Sequence, residues 1–113
     1  MPYIGVETNL DLGGGAEEFV ADLSKLVAEI LGKPESYVMV AVHDKLHMSF
    51  GGSSKPTAML ALKSLGLESA QCAGLSASLC GFMTEKIGIP ADRIYIEFSD
   101  HDRSMFGWNS GTF

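Results

Sequence analysis

Basic residues are scarce in this sequence: 8 Lys and Arg stand against 14 Asp and Glu, a formal net charge of -6. Binding nucleic acid through its phosphates draws on clustered cations, and no basic stripe is present, so that class of function is excluded. Long apolar runs are lacking too, since none approaches the roughly 20 residues that cross a bilayer. The N-terminus has neither the basic segment nor the extended apolar stretch of a secretory signal. The expected address is therefore the cytoplasm, with no membrane partner. Cysteine is limited to Cys72 and Cys80. Both fall in one expected helix, where a rise of about 1.5 Å per residue sets them roughly 12 Å apart, too far to bridge. They are read as buried, reduced thiols, in keeping with a reducing compartment.

What is present describes one folded domain over residues 1–113, with 46% hydrophobic and 19% charged residues. Such a chain is long enough for one core and too short for two. YIGVET at 3–8 has strand character and LGGG at 12–15 reads as a turn. From Ala16, the positions Phe19, Val20, Leu23, Leu26, Val27, Ile30 and Leu31 recur at helical spacing, and Gly32 with Pro34 stops the helix. YVMVAV at 37–42 reads as a strand. Cys72, Leu75, Leu79, Phe82, Met83 and Ile87 mark a second helix ended by Gly88 and Pro90, and IYIEF at 94–98 is the last clear strand.

AMLALKSL at 58–65 fits either a short helix or a strand, and an internal repeat decides between them. LGKPESYVMVAV aligns with IGIPADRIYIEF at an offset of 56, which pairs Gly32 with Gly88 and Pro34 with Pro90 and sets Ile4 on Leu60. Residues 58–65 are therefore a strand. The fold expected is α/β: two β-α-β units with right-handed crossovers, related by a pseudo-twofold axis, and two helices on one face of a four-stranded sheet. The other face is left bare and is expected to be apolar, which implies a homo-oligomer whose sheets bury one another.

Several suggestive stretches carry little. FGGSSKP at 50–56 lacks the spacing of a phosphate loop and reads as a turn. His43, Asp44 and His47 read as solvated turn residues rather than metal ligands, and DHDR at 100–103 as an exposed loop. Pro2 and Lys33 are different. If Met1 is trimmed, Pro2 becomes a free secondary amine at the start of a core strand. Lys33 sits at the entrance to the parallel neighbouring strand, so the two can share one edge of the sheet. A nearby cation and desolvation both lower an amine's pKa, leaving it free to act as a general base near neutral pH. The plainer readings are an edge-strand proline and a lysine stabilising a helix C-terminus.

Met-Pro at the start, TNL at 8–10, LGKPESYVMV at 31–40, FGGSSKP at 50–56, SLG at 64–66, DRIYI at 92–96 and GWNSGTF at 107–113 together resemble the macrophage migration inhibitory factor family of the tautomerase superfamily. The resemblance runs end to end. It implies a homotrimer with its sheets around a central channel, and a cofactor-independent keto–enol tautomerase of the phenylpyruvate and dopachrome type. Pro2 matches the catalytic base, and Lys33 the lysine that holds a substrate carboxylate or carbonyl oxygen. Leu65 takes the position whose backbone N–H points into the site, beside Ser64. Tyr37, Phe106, Trp108 and Phe113 match its walls, and Tyr95 matches a residue supplied by a neighbouring subunit. Three departures stand out: Glu97 where many members have asparagine, Phe106 in place of a smaller residue, and TAML at 57–60 without the Cys-x-x-Cys of some members. The resemblance also implies an alternative, a cytokine-like signalling protein that is secreted without a signal peptide, binds a protein receptor and retains a vestigial pocket. A ferredoxin-like regulatory domain would explain the repeat but gives Pro2 and Lys33 no role.

Overall fold

A computed structural model describes residues 1–113. The main sheet has four strands, β1 (Pro2–Thr8), β2 (Met39–His43), β3 (Ala58–Leu65) and β4 (Ile94–His101), in the order β2-β1-β3-β4. Two helices, α1 (Ala16–Leu31) and α2 (Ser69–Ile87), form the crossovers, and a small hairpin, β5 (Gly107–Trp108) with β6 (Gly111–Thr112), closes the chain. β1 runs parallel to β2 and β3 parallel to β4, while β1 and β3 meet antiparallel at the centre. That is the expected pair of β-α-β units, and the segment at 58–65 is the strand that the repeat requires.

The repeat extends into the packing. α1 buries Phe19, Leu23 and Val27, and α2 buries Leu75, Leu79 and Met83 at corresponding positions. These six pack on Ile4 and Val6 of β1 and on Leu60 and Leu62 of β3, all four fully buried. Each such side chain contributes about 1.5–3 kcal/mol through removal from water, so both helices are held on the same sheet face. Their ends are built alike. Gly32 (φ 62) and Gly88 (φ 75) adopt the left-handed conformation that glycine reaches without a Cβ clash, and each donates its N–H to a carbonyl of the last turn. Pro34 and Pro90 then open matching 3-10 turns, Glu35–Tyr37 and Ala91–Arg93.

Two strand ends and one sheet face differ from expectation. Tyr37 is in the 3-10 turn rather than in a strand, because its N–H bonds the Pro34 carbonyl and β2 begins only at Met39. β4 runs past residue 98 to His101, because β3 offers partners to the end: Ser64 faces Asp100 and Leu65 faces His101. Asp100 and His101 are thus strand residues and not loop. The bare sheet face is mixed rather than apolar. Register sets Glu7 beside His43 and Met59, Tyr3 beside Lys63, and Ala61 beside Glu97. Ile4, Val6, Leu60 and Leu62 point to the helices, so a dry sheet-to-sheet contact would bury these charges at heavy cost.

Side chains hold the connections. Asp44 is no free turn residue, since its carboxylate accepts the Leu12 N–H at 2.9 Å, and Asp100 accepts the Leu67 N–H at 3.0 Å at the corresponding place in the second unit. The FGGSSKP stretch is a turn, as expected, and is clamped by the Arg93 guanidinium, which donates to the carbonyls of Phe50, Ser53, Lys55 and Pro56.

Candidate functional site

The first residue of β1, the last of β3 and the exit of α1 converge on one edge of the sheet. There a cavity of about 670 Å3 is lined by Met1, Lys33, Tyr37, Leu65, Gly66, Asp100, His101, Asp102, Arg103 and Phe113. Lys33 reaches it because the left-handed Gly32 turns the chain sharply off α1. The Lys33 Nζ then donates to the Leu65 carbonyl at 2.9 Å. An ammonium has three N–H donors, so this bond fixes its position and leaves the others for a ligand.

The chain terminus occupies the same space. Met1 is buried, and its carbonyl accepts the Ser64 hydroxyl at 3.4 Å. The Met1 ammonium has its pKa lowered from the ordinary α-amino value, first by desolvation and then by the charge of Lys33. An amine at this edge of the sheet therefore gives up its proton more readily than one in water. Pro2 lies just beneath, fully buried and opposite Ser64 in the β1–β3 ladder. With Met1 attached its nitrogen is an amide, and neither Pro2 nor Ser64 lines the cavity.

An aromatic cluster forms the outer wall. The Phe113 ring stacks on Trp108 at 5.6 Å between centroids, with 12° between the planes, and Tyr37 sets its edge against both at 5.4 and 5.8 Å. Phe106 packs near Phe113 at 6.4 Å and against the His101 ring at 5.5 Å. The hairpin of β5 and β6 supplies Trp108 and sets up Phe113, whose N–H bonds the Phe106 carbonyl at 3.2 Å. Trp108 remains 52% exposed.

The structure thus brings Lys33, Tyr37, Leu65 and Phe113 to the cavity, with Pro2, Ser64, Phe106 and Trp108 directly behind them. It does not bring Tyr95 or Glu97 there. Both lie on the bare face of β4, with the Tyr95 ring tilted against Phe50 at 4.7 Å between centroids beside a separate cavity of about 340 Å3. The sequence reading missed Asp100, His101, Asp102 and Arg103, which it took for an exposed loop. One signal was available: Asp44 and Asp100 fall at the same offset of 56 as the rest of the repeat, so the second unit's strand end continues through DHDR.

A twice-repeated β-α-β unit, with an amine and a lysine meeting at the sheet edge where the chain begins, defines a protein of the tautomerase type of fold. The chain belongs to the macrophage migration inhibitory factor family: the family described as Macrophage migration inhibitory factor (MIF) matches residues 1–113. It is 37% identical over 114 residues to the macrophage migration inhibitory factor of Xenopus tropicalis, covering 100% of this chain and 99% of that protein. The homolog from Trichinella spiralis is 39% identical, with 100% of both covered. Among solved structures, the homologue from Prochlorococcus marinus superposes with a TM-score of 0.93 at 38% identity, over 98% of each chain. The factor from Trichinella spiralis superposes with a TM-score of 0.91 at 36% identity, over 98% of this chain and 99% of that one.

Proposed function

We propose that this protein is a cofactor-independent keto–enol tautomerase of the phenylpyruvate type, with the free amine of Pro2, exposed by loss of Met1, as its general base. The observation that carries this reading is the meeting of two groups: the Met1 α-amine, whose pKa is lowered by desolvation and by the Lys33 charge, and Lys33 tethered to the end of β3. Loss of Met1 puts the Pro2 amine at the same edge. Pro2 takes a proton from the carbon next to the substrate carbonyl, and the electron pair of that C–H bond moves onto the carbonyl oxygen. Lys33 and the Leu65 backbone N–H stabilise the negative charge growing there. The Pro2 ammonium then delivers that proton to the oxygen, which gives the enol and restores the free amine, and the reverse sequence returns the ketone. No metal or organic cofactor takes part in these steps. Tyr37, Phe106, Trp108 and Phe113 flank the substrate's side chain. Cys72 and Cys80 are both free, which fits the cytoplasm. The first test is turnover of phenylpyruvate by the purified protein.

The active form in this proposal is a homotrimer. β2 and β4 are both unpaired edge strands, and Met39 and Tyr95 on them are 64% and 66% exposed. Open edges carrying large apolar groups favour pairing with another copy, whereas the mixed face of the sheet suits a wet channel. In the trimer, Tyr95 and Glu97 reach the cavity of a neighbour, which accounts for their distance from their own. Light scattering at micromolar concentration is expected to give the mass of three chains. A stable monomer would leave the cavity without these two residues and contradict the composite site.

Glu97 tunes the substrate range in the same scheme. An ionised carboxylate only accepts hydrogen bonds, so a phenol can still donate to it while a quinonoid oxygen is repelled. Glu97→Asn is therefore expected to raise the ratio of dopachrome-type to phenylpyruvate-type turnover. An unchanged ratio would remove Glu97 from the site.

A second reading has an observation of its own. With Met1 in place the cavity is partly filled and Pro2 has no basic nitrogen, which suits a cytokine-like protein that binds a protein receptor and has no turnover. Turnover by protein lacking Met1 separates the two readings.

A further inference from the structure

One wall of the cavity has no place in the scheme above. It is built by the end of β4 and the 3-10 turn Arg103–Met105, which set Asp100, His101, Asp102 and Arg103 around the same space as Lys33. In the strand order β3 stands between β1 and β4. Lys33 comes off α1 on the β1 side of β3 and bonds its last carbonyl, while Arg103 follows β4 on the other side, so a cation stands on each flank of Leu65. Neither is paired: the chain's one ion pair, Lys86 with Asp22 at 3.2 Å, lies elsewhere. The Arg103 guanidinium makes no hydrogen bond to the protein.

In formal charge the wall balances, Asp100 and Asp102 against Lys33 and Arg103, but neither cation has a carboxylate within ion-pair distance. The Asp100 carboxylate accepts the Leu67 N–H and points its charge to the backbone, while Lys33 and Arg103 are left without an anionic partner. The wall is also unsatisfied as a polar surface, since the buried His101 Nε2 has no partner. Phe113, in contact with Phe106, Trp108 and Tyr37, bounds the other side of the cavity. Two cations without anionic partners in one cavity match a ligand that carries two anionic groups.

We propose that Arg103 is a second carboxylate-binding residue, and that the site takes short 2-oxo acids carrying a second carboxylate. This rests on the keto–enol reading above and names its substrate class. Lys33 holds the carbonyl oxygen and the nearer carboxylate, and Arg103 clamps the far carboxylate through the two-pronged geometry that a guanidinium offers and a lysine does not. The proton on the carbon between carbonyl and far carboxylate passes to the Pro2 amine, the electron pair moves to the carbonyl oxygen, and no oxidant or further reactant is needed.

The test uses full-length protein freed of Met1, with oxaloacetate and phenylpyruvate as probes, and compares the wild type with Arg103→Gln. Tautomerisation is followed by loss of the enol absorbance above the uncatalysed rate. The wild type is expected to turn over both, and Arg103→Gln to lower the ratio of kcat/KM for oxaloacetate over phenylpyruvate by about tenfold or more, chiefly through KM, as loss of a charged hydrogen-bond pair does. A ratio unchanged by the substitution, or a wild type that accepts phenylpyruvate alone, overturns the proposal and leaves the tautomerase reading intact. Absence of turnover with either probe overturns both.

Discussion

Glycine in place of Pro2, in protein freed of Met1, is expected to lower kcat/KM for phenylpyruvate by about 10²–10⁴-fold, equivalent to about 3–5 kcal/mol of transition-state stabilisation. A terminal proline keeps a lone pair that an amide would delocalise, and its ring holds that nitrogen in one orientation at the start of β1. A terminal glycine still has an amine, but a primary and less rigidly held one. The fold should survive, because β1 is anchored by Ile4 and Val6 in the core and by its ladders to β2 and β3. A thermal melt that stays within a few degrees of the wild type, together with the loss of rate, separates chemistry from unfolding. Full activity in this variant would show that the base is another group.

Lys33→Met is expected to cost about 10²–10³-fold in kcat, the effect of losing one donor to a developing oxyanion, and also to move the acidic limb of the pH–rate profile. The sign follows from the environment of the terminal amine. With Met1 in place, desolvation and then the Lys33 charge both lower the pKa of the Met1 ammonium, and a Pro2 ammonium at the same place is expected to feel the same cation. Removing the cation leaves only the desolvation, so the amine holds its proton to higher pH. The midpoint of the acidic limb therefore rises. The bond from Lys33 Nζ to the Leu65 carbonyl is also lost. It is partly exposed and worth about 1 kcal/mol, too little to unfold the domain and confuse the kinetics. A limb that does not move would mean that Lys33 does not sense the base.

How far the sequence anticipates this structure depends on which forces shape each part. The two β-α-β units are legible because each repeats the same local chemistry: a left-handed glycine at residue 32 or 88, a proline two residues on that opens a turn, and an apolar triad on the buried helix face. The strand at 58–65 has no clear signature of its own and becomes readable only through its counterpart at the start of the chain. The end of β4 is hidden for the opposite reason. Asp100 and His101 are poor strand formers on local grounds, and they are extended because Ser64 and Leu65 lie alongside. The bare face departs from the apolar expectation because Ile4, Val6, Leu60 and Leu62 all turn to the helices and leave Glu7, Lys63 and Glu97 outside.

In the site, Lys33 is legible from its place after the helix-ending glycine, and Pro2 from its place beside Met1. Tyr37, Ser64, Leu65, Phe106, Trp108 and Phe113 came through resemblance to a family, since spacing alone does not gather residues from both ends of the chain. Arg103 was missed because its role depends on where β4 stops, and that is set by register with β3 rather than by any pattern in DHDR itself.

The claim on which the rest depends is that the nitrogen of Pro2 acts as a base only once Met1 has left. It is tested by preparing the same chain in two forms, one that mass spectrometry shows to retain Met1 and one shown to lack it, and measuring phenylpyruvate tautomerisation by both. The account predicts turnover in the form that begins at Pro2 and essentially none in the form that keeps Met1, with both equally folded. Equal rates in the two forms would contradict it, because an amide nitrogen behind a buried methionine cannot take the proton.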